Sequence, residues 1–292
     1  MSGRPVARRS RAPLAGRRTR SVRRASAGLS PVRAGAALAL LASAAAIYGV
    51  GASSAFDYAR LQVDGLGFTD GAAVEAALAD VRGRNLFGLS TGPLEAALET
   101  LPTVEDARVD VRLPGTLAVT LEERVPVVIW QVGARRYLAD SDGGLFAMLT
   151  PGKDPPPAAA GLPVIDDRRA ASAGLSLDRR LDDVDLDAAT RLASLVPADV
   201  GSSAVSLTVV VTDANGFIVE TRPKGWSAVF GFYTPSLRTT ELIPEQVRLL
   251  RSLLVGREQT VDRVILASGT DGTYTPRAAP KADPSTKPST AP

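Results

Sequence analysis

From Ala34 to Phe56 the chain runs 23 residues without a charge, AGAALALLASAAAIYGVGASSAF, and nothing else narrows its folding options as much. A helix of that length reaches about 34 Å at 1.5 Å per residue, enough for a bilayer hydrocarbon core of roughly 30 Å. Arg33 closes one end and Asp57 the other. The flanking positive charge lies on the N-terminal side, which predicts residues 1–33 in the cytoplasm and 57–292 outside. A cleaved signal sequence competes with a retained anchor, because the stretch ends in small residues. A buried helix of a soluble protein also competes. The 33-residue leader and the length of the apolar run favour the anchor, since signal sequences hold only about 7–15 apolar residues.

The charge is as unevenly distributed as the hydropathy. Residues 1–33 hold ten arginines and no acid, leaving 24 basic against 31 acidic residues in the remainder. The high isoelectric point therefore belongs to the tail, which reads as a disordered topology signal that also touches anionic lipid. A nucleic-acid arm would need interleaved aromatics or a folded reader, so no nucleic acid is expected as partner. Cysteine and histidine are both absent. Disulfides, thiol nucleophiles, histidine bases and almost every zinc site go with them. No catalytic residue, metal ligand or cofactor site is expected, and the chain is not read as an enzyme.

Residues 57–124 change period in a definite order. Tyr58–Asp64 reads as a strand ending at Gly65. Thr69 is the expected cap of a helix whose stripe is Val74, Ala77, Leu78 and Val81, stopped at Gly83. Thr91-Gly92-Pro93 opens a second helix, with proline where a missing N–H costs nothing. Its stripe is Leu94, Ala97, Leu98 and Leu101, and Pro102 ends it. Then Ala107, Val109, Val111 and Leu113 alternate with Arg108, Asp110 and Arg112. Pro114-Gly115 turns the chain, and Leu117, Val119 and Leu121 alternate again. The order is β-α-α-β-β.

Residues 125–276 read as a mixed, mainly-β domain with flanking helices. Strand-like runs fall at Val125–Val132, Arg136–Ala139 and Leu145–Met148, with Asp140-Ser141-Asp142-Gly143 as a turn. A calcium loop would need an acid where Pro151 stands. Thr150–Gly161 is a loop, followed by Leu162–Ile165. Asp178, Asp182, Asp183, Asp185 and Asp187 precede a helix carrying Leu192, Leu195 and Val196, where carboxylates suit the helix dipole. Strands are expected at Val205–Val211, Gly216–Thr221 and Trp226–Phe230, with hairpin turns at Asn215-Gly216 and Lys224-Gly225. A helix follows at Ile243–Leu254, then strands at Val261–Leu266 and Gly272–Thr275. Residues 277–292 read as a disordered tail.

The run Leu101–Trp130, LPTVEDARVDVRLPGTLAVTLEERVPVVIW, resembles the second half of a POTRA domain of the FtsQ/DivIB cell division family. Glu123-Arg124-Val125-Pro126 supplies that family's Glu-Arg-x-Pro junction, and Asn85-Leu86-Phe87 its link between the helices. Trp226–Gly231, Glu245–Leu254 and Val261–Tyr274 are similar to the closing elements of the family's β-domain. Val264-Ile265-Leu266-Ala267 departs from its Ile-Asp-Leu-Arg pattern, which weakens the carry-over of partner contacts. The resemblance implies a membrane-anchored division scaffold, concentrated at the septum, with a tail at 1–33, a transmembrane helix at 34–56, a POTRA domain at 57–124 and a β-domain at 125–276. It implies an FtsB/FtsL-type coiled-coil pair as partner, docked along the C-terminal edge strand through Arg263, Ile265, Thr273, Tyr274 and Thr275. Self-association is left open. The alternative is a POTRA-containing anchored binding module in envelope protein transport or assembly. A barrel-type transport protein would need many more alternating strands than this chain supplies.

Overall fold

A computed structural model describes residues 30–278. Most of the tail expected at 1–33, and all but residues 277–278 of the tail expected at 277–292, lie outside the described residues. The chain separates into two units, residues 1–53 and 54–292.

In the first unit, α1 spans Pro31–Gly51. Its 21 residues have a mean hydropathy of 1.7 over the most apolar window, long and apolar enough to cross a membrane. The helix is shifted towards the N-terminus relative to the charge-free stretch, for local reasons. Ser30 accepts a hydrogen bond from the Arg33 N–H and Pro31 occupies the first turn, a strong start signal. Gly49, Gly51, Ser53 and Ser54 are weak helix formers at the other end.

The second unit opens with a small three-stranded sheet. Its strands are β1 (Arg60–Asp64), β2 (Val104–Arg112) and β3 (Thr116–Glu123), in the spatial order β1-β3-β2. The β2–β3 hairpin is antiparallel and β1 lies parallel to β3. Helices α2 (Gly71–Ala77) and α3 (Gly92–Glu99) cover one face. Val74, Leu78, Leu94 and Leu98 from the helices meet Val109, Leu117, Val119 and Leu121 from the sheet in one buried cluster. The cap of α2 is Asp70, not Thr69: the Asp70 carboxylate accepts from the Ala72 N–H. The Thr69 hydroxyl is engaged elsewhere, paired with the Thr103 hydroxyl at 2.6 Å, while its N–H donates to Glu123.

The rest of the unit is a nine-stranded mixed sheet. The strands are β4 (Val128–Val132), β5 (Arg135–Ala139), β6 (Leu145–Leu149), β7 (Val164–Asp167), β8 (Ser206–Thr212), β9 (Gly216–Arg222), β10 (Ser227–Gly231), β11 (Val261–Leu266) and β12 (Gly272–Pro276). They lie in the order β12-β11-β10-β9-β8-β7-β4-β5-β6. Three neighbouring pairs are parallel, β4 with β7, β7 with β8, and β10 with β11. Helices α4 (Asp183–Ala193) and α5 (Ile243–Leu254) lie on one face. Their Leu186, Ala189, Leu192, Leu250 and Leu254 pack on Trp130, Ile165, Val211, Val219, Phe230 and Val264. α4 begins among the aspartates rather than after them, because Asp182 caps it by accepting from Val184 and Asp185 N–H groups. Val196 falls beyond the helix and is exposed.

Beneath α4 the core holds a charged network. Asp167 is fully buried and accepts from the Trp130 indole (3.0 Å), the Ser172 hydroxyl (2.6 Å) and the Arg169 guanidinium (2.8 Å). Arg169 also reaches Asp185 at 2.5 Å. Burial pushes the Asp167 carboxyl up, but these hydrogen bonds outweigh it and hold the group below the ordinary range.

Candidate protein-docking edge

Among the described residues β12 is terminal in the sheet, with β11 as its only neighbouring strand, and four of its five residues are exposed. Antiparallel pairing sets Arg263 opposite Thr275, Val264 opposite Tyr274 and Ile265 opposite Thr273. Paired residues share a face of the sheet. The five residues expected at a partner surface therefore separate. Arg263, Ile265, Thr273 and Thr275 lie on the face away from the helices, whereas Tyr274 lies with Val264 on the helix side. Tyr274 is 43% exposed and Ile265 45%.

Register extends these positions into rows across five strands. Val210, Ile218, Val229, Ile265 and Thr273 form one row, mostly apolar. Thr208, Glu220, Ser227, Arg263 and Thr275 form the adjacent polar row. Val210 is fully buried, and Ile218 and Val229 nearly so, so the apolar row becomes accessible only at Ile265. Arg263 is steadied by donating to the Asn215 side chain at 2.7 Å. Asn215 stands in the β8–β9 turn, which Gly216 closes at φ +64; a Cβ there would come within 2.4 Å of Gly231.

What holds the edge in place is not legible as a motif. β10 and β11 run parallel, and side chains from outside the sheet bind carbonyls at their C-terminal ends. Arg238 donates to the Phe230 (2.7 Å), Leu266 (2.8 Å) and Ala267 carbonyls. Gln246 on α5 donates to Phe230 and Leu266, each at 3.1 Å, and accepts from the Tyr233 hydroxyl at 2.7 Å. Burial pushes the Tyr233 phenol above its usual range, so it stays a donor. Gln246 is wholly buried. The available sequence signal is its place with Ile243, Leu250 and Leu254 on the inward stripe of α5, where a lone amide must have partners.

The Glu-Arg pair at the end of β3 acts in two directions. The Glu123 carboxylate accepts from the Gly67, Phe68 and Thr69 N–H groups, at 2.7–3.0 Å. Arg124 donates to Asp140 at 2.8 Å. Asp140 in turn accepts from Asp142 and Gly144 N–H groups, which shapes the expected turn. Burial raises the Glu123 carboxyl, and the backbone donors more than compensate, leaving it below its ordinary value. With Gly67–Thr69 so held, Phe68 meets Phe146 edge-on, ring centres 5.7 Å apart. Among the described residues no three acids converge as metal ligands.

A β-α-α-β-β module followed by a mixed sheet with an exposed terminal strand, with an apolar helix earlier in the chain, defines a POTRA-containing protein. Residues 56–124 match the model of the FtsQ-type POTRA domain. The chain is 26% identical over 247 residues to the cell division protein FtsQ of Chloroflexus aurantiacus, spanning 85% of this chain and 80% of that protein. It is 35% identical to the FtsQ of Mycobacteroides abscessus, over 36% of this chain and 31% of that one. For the Rickettsia bellii FtsQ the figures are 31% identity, 21% and 23%. Residues 56–124 thus form a domain of the FtsQ-type POTRA family, and over most of its length the chain is similar to FtsQ cell division proteins.

Proposed function

We propose that this protein serves cell division as a membrane-anchored, non-enzymatic scaffold whose extracytoplasmic part docks other division proteins at the septum. The domain division we assign is an arginine-rich cytoplasmic tail over 1–33, a span within 34–56, a POTRA domain over 57–124, a β-domain over 125–276 and a short tail to 292. The similarity to three proteins named as cell division protein FtsQ supports the role. The positive-inside rule supports the topology.

One observation carries the docking surface: β12 ends a nine-stranded sheet with its residues exposed. Such an edge offers unpaired N–H and C=O groups to which a partner segment adds as a further strand. An added strand continues the rows, so an apolar partner residue beside Thr273 extends the contact begun at Ile265. Tyr274 then anchors a partner element on the helix side, as interface tyrosines do. The partner assigned is a coiled-coil pair of the FtsB/FtsL type.

The test is the position of a fluorescent protein fused to Met1, at native expression, with and without Thr273→Pro. A midcell band with loss of partner capture in the variant is the expected result. Midcell position with partner capture unchanged would remove β12 from the surface, and uniform envelope fluorescence would remove the division role.

A further inference from the structure

The end of the POTRA module where the chain enters carries a second exposed surface. Three segments converge there. The Leu86 N–H donates to the Phe56 carbonyl at 2.7 Å, and the Tyr58 N–H to the Arg84 carbonyl at 3.0 Å. The Ala59 and Arg60 N–H groups both donate to the Gly115 carbonyl. Phe56 and Phe87 stand with ring centres 5.7 Å apart. Phe87 is 51% exposed and Leu113, at the tip of the β2–β3 hairpin, 49%. Neither is needed by the core, which closes on Leu86 and Leu117.

The same segments carry cations. Arg60 and Arg112 both pair with Thr116, one from each side of β3, and so share one row of the sheet. Arg84 lies exposed, three residues before Phe87 in the chain. Within residues 56–60, 84–88 and 112–116 there are three arginines and one acid, Asp57. Among the described residues none of these three arginines is in an ion pair.

We infer that this tip, Phe56, Phe87 and Leu113 with Arg60, Arg84 and Arg112, is a docking surface for the headgroup layer of an anionic bilayer. Chain length supplies the occupant. From Gly51, where α1 ends, to Phe56 is five residues, a reach of at most roughly 18 Å. With α1 in the bilayer, as the reading above requires, no partner is kept as near this surface as lipid. Aromatic and leucine side chains settle at the headgroup boundary, and arginines there pair with anionic lipid phosphates. The module then does not swing freely on its tether, and the sheet beyond it is presented from a restricted set of orientations.

The full-length chain, reconstituted in phosphatidylcholine vesicles with and without phosphatidylglycerol, tests this through tryptophan. Phe87→Trp and Leu113→Trp report from the tip. Leu66→Trp reports from an equally exposed apolar site at the opposite end of β1. Trp130 and Trp226 are buried and give a common background. With a lipid spin-labelled near the headgroup, the two tip variants should be quenched about twofold or more beyond Leu66→Trp, as side chains seated at the interface are. That quenching should fall without phosphatidylglycerol and on adding Arg60→Gln, Arg84→Gln and Arg112→Gln. Co-flotation with vesicles separates the two readings. A chain that floats with all three reporters quenched alike overturns the lipid surface and leaves the anchor intact. A chain that does not float overturns both. Tip emission that follows protein-to-lipid ratio but not the spin label would assign the surface to a second copy instead.

Discussion

At one end of the nine-stranded sheet, β6 places Leu145, Phe146 and Leu149 in the core, and its outer side is occupied. The Leu145 N–H donates to the Arg179 carbonyl, the Leu145 carbonyl accepts from Asp178, and Leu181 donates to Gly143. The face behind it is covered by Phe68, Ala159 and Leu162. At the other end β12 has one neighbour, and the row behind it opens to solvent at Ile265. The β6 edge is thus shielded against stray pairing, while among the described residues the β12 edge is left bare but braced from within by Arg238 and Gln246. Exposed edges invite association, and proteins normally block those they do not use. That difference is what the docking role proposed for β12 requires.

The comparison can be broken from its closed end first. Leu145→Ala should cost about 2–5 kcal/mol, because it empties a site with no room to relax. A fall in the urea midpoint with an unchanged slope would register it. Gln246→Leu should cost about 1–3 kcal/mol, since the Phe230 and Leu266 carbonyls lose one of their donors and the Tyr233 hydroxyl its acceptor. Hydrogen exchange should then accelerate in β11 and β12 more than in β5 and β6; a uniform change would deny that Gln246 braces the open edge in particular.

The pH dependence sharpens the closed end further. Glu123 is held below its ordinary value, so its stabilisation is complete above the unfolded carboxyl pKa of about 4.3. It is lost as pH falls through the lower folded value. Glu123→Gln should therefore lower stability at neutral pH and flatten the acid limb of the stability profile. Phe68 should loosen from Phe146 in the same variant, visible as faster exchange around Thr69. The smallest stability effect is expected at the open edge. Tyr274→Ala should stay within about 0.5 kcal/mol of the parent while weakening partner capture. A large loss of stability there would mean that Tyr274 covers the sheet rather than serving a partner.

Much of this fold was written locally. The strict alternation along Ala107–Leu113 and the 3.6-residue stripe through Ile243, Leu250 and Leu254 place β2 and α5 where the residues themselves require them. The POTRA match rests on the same kind of signal, a change of period in a characteristic order. The cap of α2 falls one residue beyond the expected Thr69, because Thr69 and Asp70 are both good caps and the distant Thr103 engages the Thr69 hydroxyl. The aspartates of 178–187 were legible as a helix start, but not Asp167 as the buried centre of the Arg169 network, since an acid in a strand gives no sign of what will cover it.

The edge shows the same division. That Gly272–Thr275 forms a strand follows from its β-forming residues. That it stands at the end of the sheet, with Thr273 beside Ile265 and Tyr274 on the opposite face, depends on which strands pair and in what register. Backbone hydrogen bonding is the same for every residue type, so strand order is settled by how side chains from distant segments pack together. The sequence by itself determined the apolar helix, the two folded parts and most of their elements. Only the tertiary structure decided which edge is blocked, which is braced, and which side chains share a face, because those choices are made by contacts between residues far apart in the chain.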